Sequence, residues 1–155
     1  MSSEHVANAP ATLPSYTEKL WPGLSAWIIV VGLSAAGILI FIPISPLAGY
    51  VAFAVLLALQ TVLLVTSTPK IEVTPTTVQV GRAVIDREHV GEVSYYVGDD
   101  ATAQRGTKLN GLAYLCIRGW IKPVVRIEIT DPADNTPYWL TSTRNPERLV
   151  AALTR

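Results

Sequence analysis

Apolar positions are distributed in two different ways along this chain. From Leu20 to Pro69 no residue is charged and apolar side chains fall on every face of any helix drawn through the stretch. That all-round pattern marks a lipid-facing span rather than an amphipathic core helix with one polar stripe. Pro43-Ile44-Ser45-Pro46 puts two helix breakers near its middle. Two helices are therefore expected, about Leu24 to Ile42 and about Leu47 to Val65. Each is roughly 28 Å long at ~1.5 Å per residue, close to the ~30 Å hydrocarbon core of a bilayer. A connection this short makes them an antiparallel hairpin. Gly32 and Ala36, at i and i+4 with Gly37 beside them, offer a small-residue contact line on the first helix for the second span or for a partner helix.

After Lys70 the period changes to two, the signature of strands. Ile71-Glu72-Val73 and Thr77-Val78-Gln79-Val80 predict a hairpin around Thr74-Pro75-Thr76, with Ile71, Val73, Val78 and Val80 inward. Further strands are expected at Arg82–Ile85, Val90–Tyr96, Leu112–Ile117, Val124–Thr130 and Pro137–Ser142. In the sixth, Val125, Ile127 and Ile129 face the core while Arg126 and Glu128 face out. Gly98 to Asn110 has no apolar period and is expected to be a polar loop. Asp131-Pro132-Ala133-Asp134-Asn135 has turn chemistry. The chain then predicts a closing helix, with Asn145 as N-cap, Pro146 in the first turn and Leu149, Val150, Ala152 and Leu153 on its apolar side.

Composition sharpens the first pattern. Of 155 residues only 15% are charged, with 12 Lys and Arg balanced by 12 Asp and Glu, where a soluble domain carries about 25% charged residues. An uncharged run of this length excludes an ordinary soluble globule or a disordered tail, and the zero net charge argues against a nucleic-acid binder. A cleavable signal fits poorly: its apolar region runs about 7 to 15 residues behind a positive segment, whereas this run is longer and follows Glu4, Glu18 and only Lys19. Lys19, Lys70, Arg82 and Arg87 flank the spans and the connecting turn has no Lys or Arg, so both ends are expected in the cytoplasm of a double-pass cell-membrane protein. Trp21, Trp27, Tyr50 and Lys70 are the candidate membrane-interface residues. The expected organisation is an N-terminal cytoplasmic tail over 1–20, a transmembrane hairpin over 21–66 and a cytoplasmic domain over 70–155. The link Thr66-Ser67-Thr68-Pro69 reaches at most about 14 Å at ~3.5 Å per residue, so the domain hangs directly beneath the bilayer.

Catalytic chemistry is sparse. Cys116 is the lone cysteine, which excludes an internal disulfide and a paired-cysteine zinc site. His5 and His89 have no second ligand at a metal-like spacing, and both read as solvated surface histidines. Asp99-Asp100 reads as solvated loop charge. No phosphate-cradling glycine loop or nucleophile elbow occurs, so no enzyme activity, metal or cofactor is expected. The charge pattern says more. Between Asp100 and Glu128 there is no acidic residue, yet Arg105, Lys108, Arg118, Lys122 and Arg126 all fall there, with Trp120 among them. Each Lys or Arg near an anionic membrane surface contributes about 1 kcal/mol, roughly 5 kcal/mol if all five point one way. These residues are the candidate lipid-binding or partner-binding set.

About seven short antiparallel strands closed by one C-terminal helix is the element order of a pleckstrin-homology-like barrel. More specifically, Leu20-Trp21-Pro22, Pro69-Lys70-Ile71-Glu72-Val73, Val90-Gly91-Glu92-Val93, Arg118-Gly119-Trp120-Ile121, Val125-Arg126-Ile127, Thr130-Asp131-Pro132-Ala133-Asp134, Pro137-Tyr138-Trp139-Leu140 and Ser142-Thr143-Arg144-Asn145-Pro146-Glu147 are carried together. Across about residues 15 to 155 the chain resembles DUF3093, an actinobacterial membrane family of unknown function. The resemblance implies a two-helix membrane protein with a cytoplasmic pleckstrin-homology-like domain and supplies no catalytic residues. The expected function is a non-enzymatic membrane-tethered adaptor that binds anionic lipid headgroups or a protein partner. The alternative is an accessory subunit of a larger envelope or transport assembly, holding a membrane-protein partner.

Overall fold

The uncharged stretch folds as two helices joined by a tight turn. In the computed structural model, which describes residues 13–155, α1 spans Leu24–Phe41 and α2 spans Pro46–Thr66. His5 lies outside the described residues. Pro46 occupies the first turn of α2, where the missing N–H has no helical partner to lose. The helices pack antiparallel: Gly37 faces Ala52 and Leu56, and Gly49 faces Ile38 and Ile42. A Cβ on Gly37 would come within 2.9 Å of Leu56 Cδ1, so a larger residue there would have to displace that side chain. The buried line of α1 is Ala26, Val30, Ser34 and Gly37. Of the expected small-residue line, Gly37 meets α2 but Gly32 does not: Gly32, about 200° around the helix from Ser34, has nothing within 4 Å of where its Cβ would stand. Ser34 donates to Val30 O and accepts from Gln60 Nε2, the one polar contact described between the two helices. Their outer faces remain apolar and exposed, from Ile28, Val31 and Leu39 to Val51, Val55 and Leu59.

The segment ahead of α1, expected to be a tail, contributes a strand. β1 (Tyr16–Lys19) pairs antiparallel with β2 (Lys70–Val73), placing Lys19 opposite Lys70 and Tyr16 opposite Val73. β3 (Thr77–Val80) and β4 (Ala83–Asp86) complete a four-stranded meander in the order β1-β2-β3-β4. A single 3₁₀ turn at Arg87–His89 then carries the chain into a second sheet. That sheet contains β5 (Val90–Tyr96), β6 (Tyr114–Cys116), β7 (Val124–Ile129) and β8 (Tyr138–Ser142), in the order β5-β7-β8-β6. Among the described residues, eight strands thus form two sheets that hydrogen bonding does not close into a barrel. The break falls at the 3₁₀ turn, because among the described residues β4 pairs with β3 alone. The expectation of an all-antiparallel domain also needs correction, since β6 runs parallel to β8.

The polar stretch after Gly98 is a helix, α3 (Gly98–Arg105), rather than a loop. Asp99 and Asp100 sit in its first turn and Arg105 in its last, the charge order that a helix dipole favours. Ala101 and Gln104 are its buried residues. Ala101 covers Val124, Tyr138 and Leu140 on the outer face of the second sheet. The main core lies on the other face: Ile71, Val73, Val78 and Val80 meet Val125, Ile127, Ile129 and Trp139. α4 (Pro146–Leu153) seals it with Leu149, Ala152 and Leu153, as its pattern predicted. Covered on both faces, β8 is buried at every position.

Candidate functional site at the helix junction

The two helices join the domain through adjacent strands, since β1 leads into α1 and α2 leads into β2. Leu20, between β1 and α1, is fully buried in the main core, and its N–H donates to Pro69 O at 3.0 Å. Two arginines tie the helix ends down. Arg118 donates from Nη2 to Ser67 O, 2.9 Å, at the C-cap of α2, and from Nη1 to Ile117 O, 2.8 Å. A cation at this end of a helix also suits its dipole. Arg144 donates to Trp21 O at 2.6 Å, just before α1. Glu18 completes the joint. Its carboxylate accepts from Tyr16 Oη, Thr143 Oγ1 and the Arg144 N–H. Burial, followed by the bond to Glu18, pushes Tyr16 up to about 12.

Beside this joint lies a cleft of about 420 Å³, lined by the end of α2 and by Lys70, Arg82, Tyr114, Cys116 and Arg118. Local chain geometry builds it. The β3–β4 turn is two residues long, and Gly81 takes its first position at φ +62°, which that turn type favours in glycine. The Gly81 N–H donates to Lys70 O at 2.8 Å, which folds Arg82 back beside Lys70. Tyr114 Oη donates to Val80 O and accepts from the Arg82 N–H, pinning the turn of the first sheet to β6 of the second. Lys70 pairs with Glu72. Among the described residues neither Arg82 nor Arg118 has a carboxylate within ion-pair distance, and no acidic side chain lines the cleft. Burial raises the pKa of the Cys116 thiol, which keeps it protonated.

The candidate basic residues do not all gather in one place. Arg118 and Trp120 lie at the joint; the Cβ of Trp120 would stand 3.3 Å from a Cβ added to Gly23, the residue before α1. Arg105 reaches the same loop, donating to Ile121 O, and burial lowers its pKa. Lys122 is exposed on that loop. Arg126 instead lies 4.2 Å over the Tyr138 ring on the outer face of the second sheet, in a shallow groove with Glu92 and Glu128. Lys108 is exposed beyond α3, near Asn110, whose N–H donates to Tyr138 Oη. Of the interface candidates, Trp21 is exposed with Lys19 Nζ 4.2 Å from its ring, Trp27 is half-buried, Tyr50 is exposed near the turn end of α2, and Lys70 lines the cleft. Arg82 and Arg144 were absent from the candidate set. The signal for Arg82 was the short Val80-Gly81-Arg82-Ala83 turn, which returns the chain to Lys70. Arg144 had no such signal, because its role depends on β1.

His89 is half-buried with Nε2 3.6 Å from Glu88 Oε1, and among the described residues no three metal-ligating side chains cluster. No curated protein and no solved structure matches the chain. The family profile of a protein of unknown function, DUF3093, matches residues 15–153. The chain therefore belongs to the DUF3093 family.

Proposed function

We propose that this protein is a double-pass membrane anchor whose domain, held against the inner leaflet of the cell membrane, acts as a non-enzymatic adaptor binding anionic lipid headgroups. The observation that carries the reading is the cleft at the helix junction. It brings Lys70, Arg82 and Arg118 together at one end of two helices long and apolar enough to cross a bilayer. α1 and α2 have 18 and 21 residues, about 27 and 32 Å at ~1.5 Å per residue, matching a ~30 Å core. Lys19, Lys70, Arg82, Arg118 and Arg144 cluster at the junction, while the turn at residues 42–45 has no charge. That asymmetry supports cytoplasmic N and C termini. Two four-stranded sheets closed by α4 support a pleckstrin-homology-like relationship for the domain, with the parallel β6–β8 pair as a departure from it.

A phosphodiester headgroup meeting these cations forms charge-assisted hydrogen bonds, and arginine forks fit phosphate oxygens in pairs. The full chain purified in mild detergent is expected to retain phosphatidylglycerol over phosphatidylcholine in native mass spectrometry. Lys70→Glu with Arg82→Glu should abolish the preference, since both side chains are exposed and neither fills the core. Equal retention of the two lipids, or a double variant that behaves like the parent, would contradict the reading. A membrane protein co-purifying at fixed ratio together with indifference to lipid would favour the accessory-subunit alternative, for which the exposed apolar face of α2 is the supporting observation.

A further inference from the structure

A second, larger groove of about 670 Å³ opens between β1 and α4. It lies toward the Tyr16 and Val73 ends of their strands, whereas the helix junction lies toward Lys19 and Lys70. β1 contributes Tyr16 and Thr17, Ser15 just before it adds a hydroxyl, α4 contributes Arg148, and Arg155 follows the last turn of that helix. Arg87 enters from the 3₁₀ turn and is held in place, donating to Thr74 O and Ala152 O. No Asp or Glu lines the groove, and among the described residues none of the three arginines has a carboxylate within ion-pair distance. Three guanidinium groups without acidic partners make a field that a polyanion would neutralise.

A second observation concerns the backbone. β1 is the edge of its sheet, and among the described residues no strand pairs with its outer side. Unpaired edges are templates for an added strand. A segment laid beside β1 would present alternate side chains to one side, where the groove carries its arginines.

We propose that this groove docks an acidic peptide segment of a protein partner, extended along β1 with its carboxylates directed at Arg87, Arg148 and Arg155. The assignment uses none of the residues of the lipid cleft and stands whether or not that cleft binds lipid. An adaptor with lipid on one side and protein on the other would have its two sites at opposite ends of β1.

The test uses the full chain in phosphatidylcholine nanodiscs and a fluorescein-labelled peptide of alternating Val and Glu, read by anisotropy. Binding is expected, falling as salt rises. Arg148→Glu with Arg155→Glu, both exposed, should weaken it about tenfold, which corresponds to roughly 1.4 kcal/mol. A proline in the middle of the peptide, which keeps the charge and removes a backbone donor, should weaken it as well. Absence of binding, equal binding of a Val/Lys peptide, or insensitivity to the double variant or to the proline would overturn the proposal. Binding that appears only after removal of residues 1–12 would also overturn it, by assigning the groove to the chain's own N-terminus.

Discussion

Residues 70–155 alone should make a poor domain, although the sequence pattern places the domain boundary there. Removing everything before Lys70 deletes β1 and Leu20. Leu20 is fully buried, and full burial of a leucine contributes about 1.5–3 kcal/mol. The Glu18 carboxylate accepts three hydrogen bonds. Fully buried, each bond to a charged group would be worth about 1.5–3 kcal/mol. This network is partly exposed, so about 1–2 kcal/mol for the set is the better magnitude. The combined loss is about 2.5–5 kcal/mol, a large share of the ~5–15 kcal/mol that stabilises a typical domain. The remedy follows from the geometry. Leu20 N–H already reaches Pro69 O, so residues 13–20 can be joined to 69–155 through a short glycine-containing turn replacing the hairpin. Urea unfolding followed by circular dichroism should place the midpoint of the joined version on the order of 2 M above that of 70–155, or show 70–155 unfolded in buffer. Coincident unfolding curves would refute the claim that β1 is an integral strand of the domain.

Two further outcomes follow from single positions. Gly81→Ala must adopt φ +62° with its new methyl carbon 3.2 Å from both Cys116 Sγ and Tyr114 Oη; the left-handed backbone alone costs about 1–2 kcal/mol. A lowered unfolding midpoint is therefore expected, and an unchanged one would show that the turn tolerates a side chain. Tyr16 gives a pH signature. Its pKa rises from 10.0 to about 12 in the folded chain, so the folded state holds a proton that the unfolded state releases. The associated stability is fully present below pH 10 and declines as pH rises toward 12. Tyrosinate absorbance should show a late-titrating component that Tyr16→Phe removes; identical curves for parent and variant would contradict the half-buried Tyr16–Glu18 bond.

The elements that sequence revealed best are those whose periodicity belongs to one face or to all faces. α1 and α2 were legible because nothing charged interrupts them, and β7 because Val125, Ile127 and Ile129 alternate with Arg126 and Glu128. α3 was hidden because it buries only Ala101 and Gln104, too little for an apolar stripe; the Asp99-Asp100 start and Arg105 end were its remaining trace. β1 was hidden for a different reason. Tyr16-Thr17-Glu18-Lys19 is polar, and it forms a strand because β2 lies beside it, a pairing set by chain sections far apart in sequence. The site suffered from the same limitation. A linear count of basic residues selected Arg126, which stacks on Tyr138 away from the helix ends, and left out Arg82 and Arg144, which tertiary structure returns to them. In the hairpin, Ser34 and Gly37 face α2 while Gly32 does not, and a run apolar on every face carries no signal of which side packs.

The membrane claim can be tested by labelling single-cysteine variants in intact cells with a thiol reagent that does not cross membranes. Ile44→Cys lies in the exposed turn between α1 and α2, and Glu88→Cys lies on the exposed surface of the domain; Cys116 is buried and is replaced by alanine in both. Modification at residue 44 in intact cells, with residue 88 modified only after permeabilisation, is the outcome the double-pass arrangement predicts. Modification of residue 88 in intact cells, or protection of residue 44 until the membrane is opened, would contradict it.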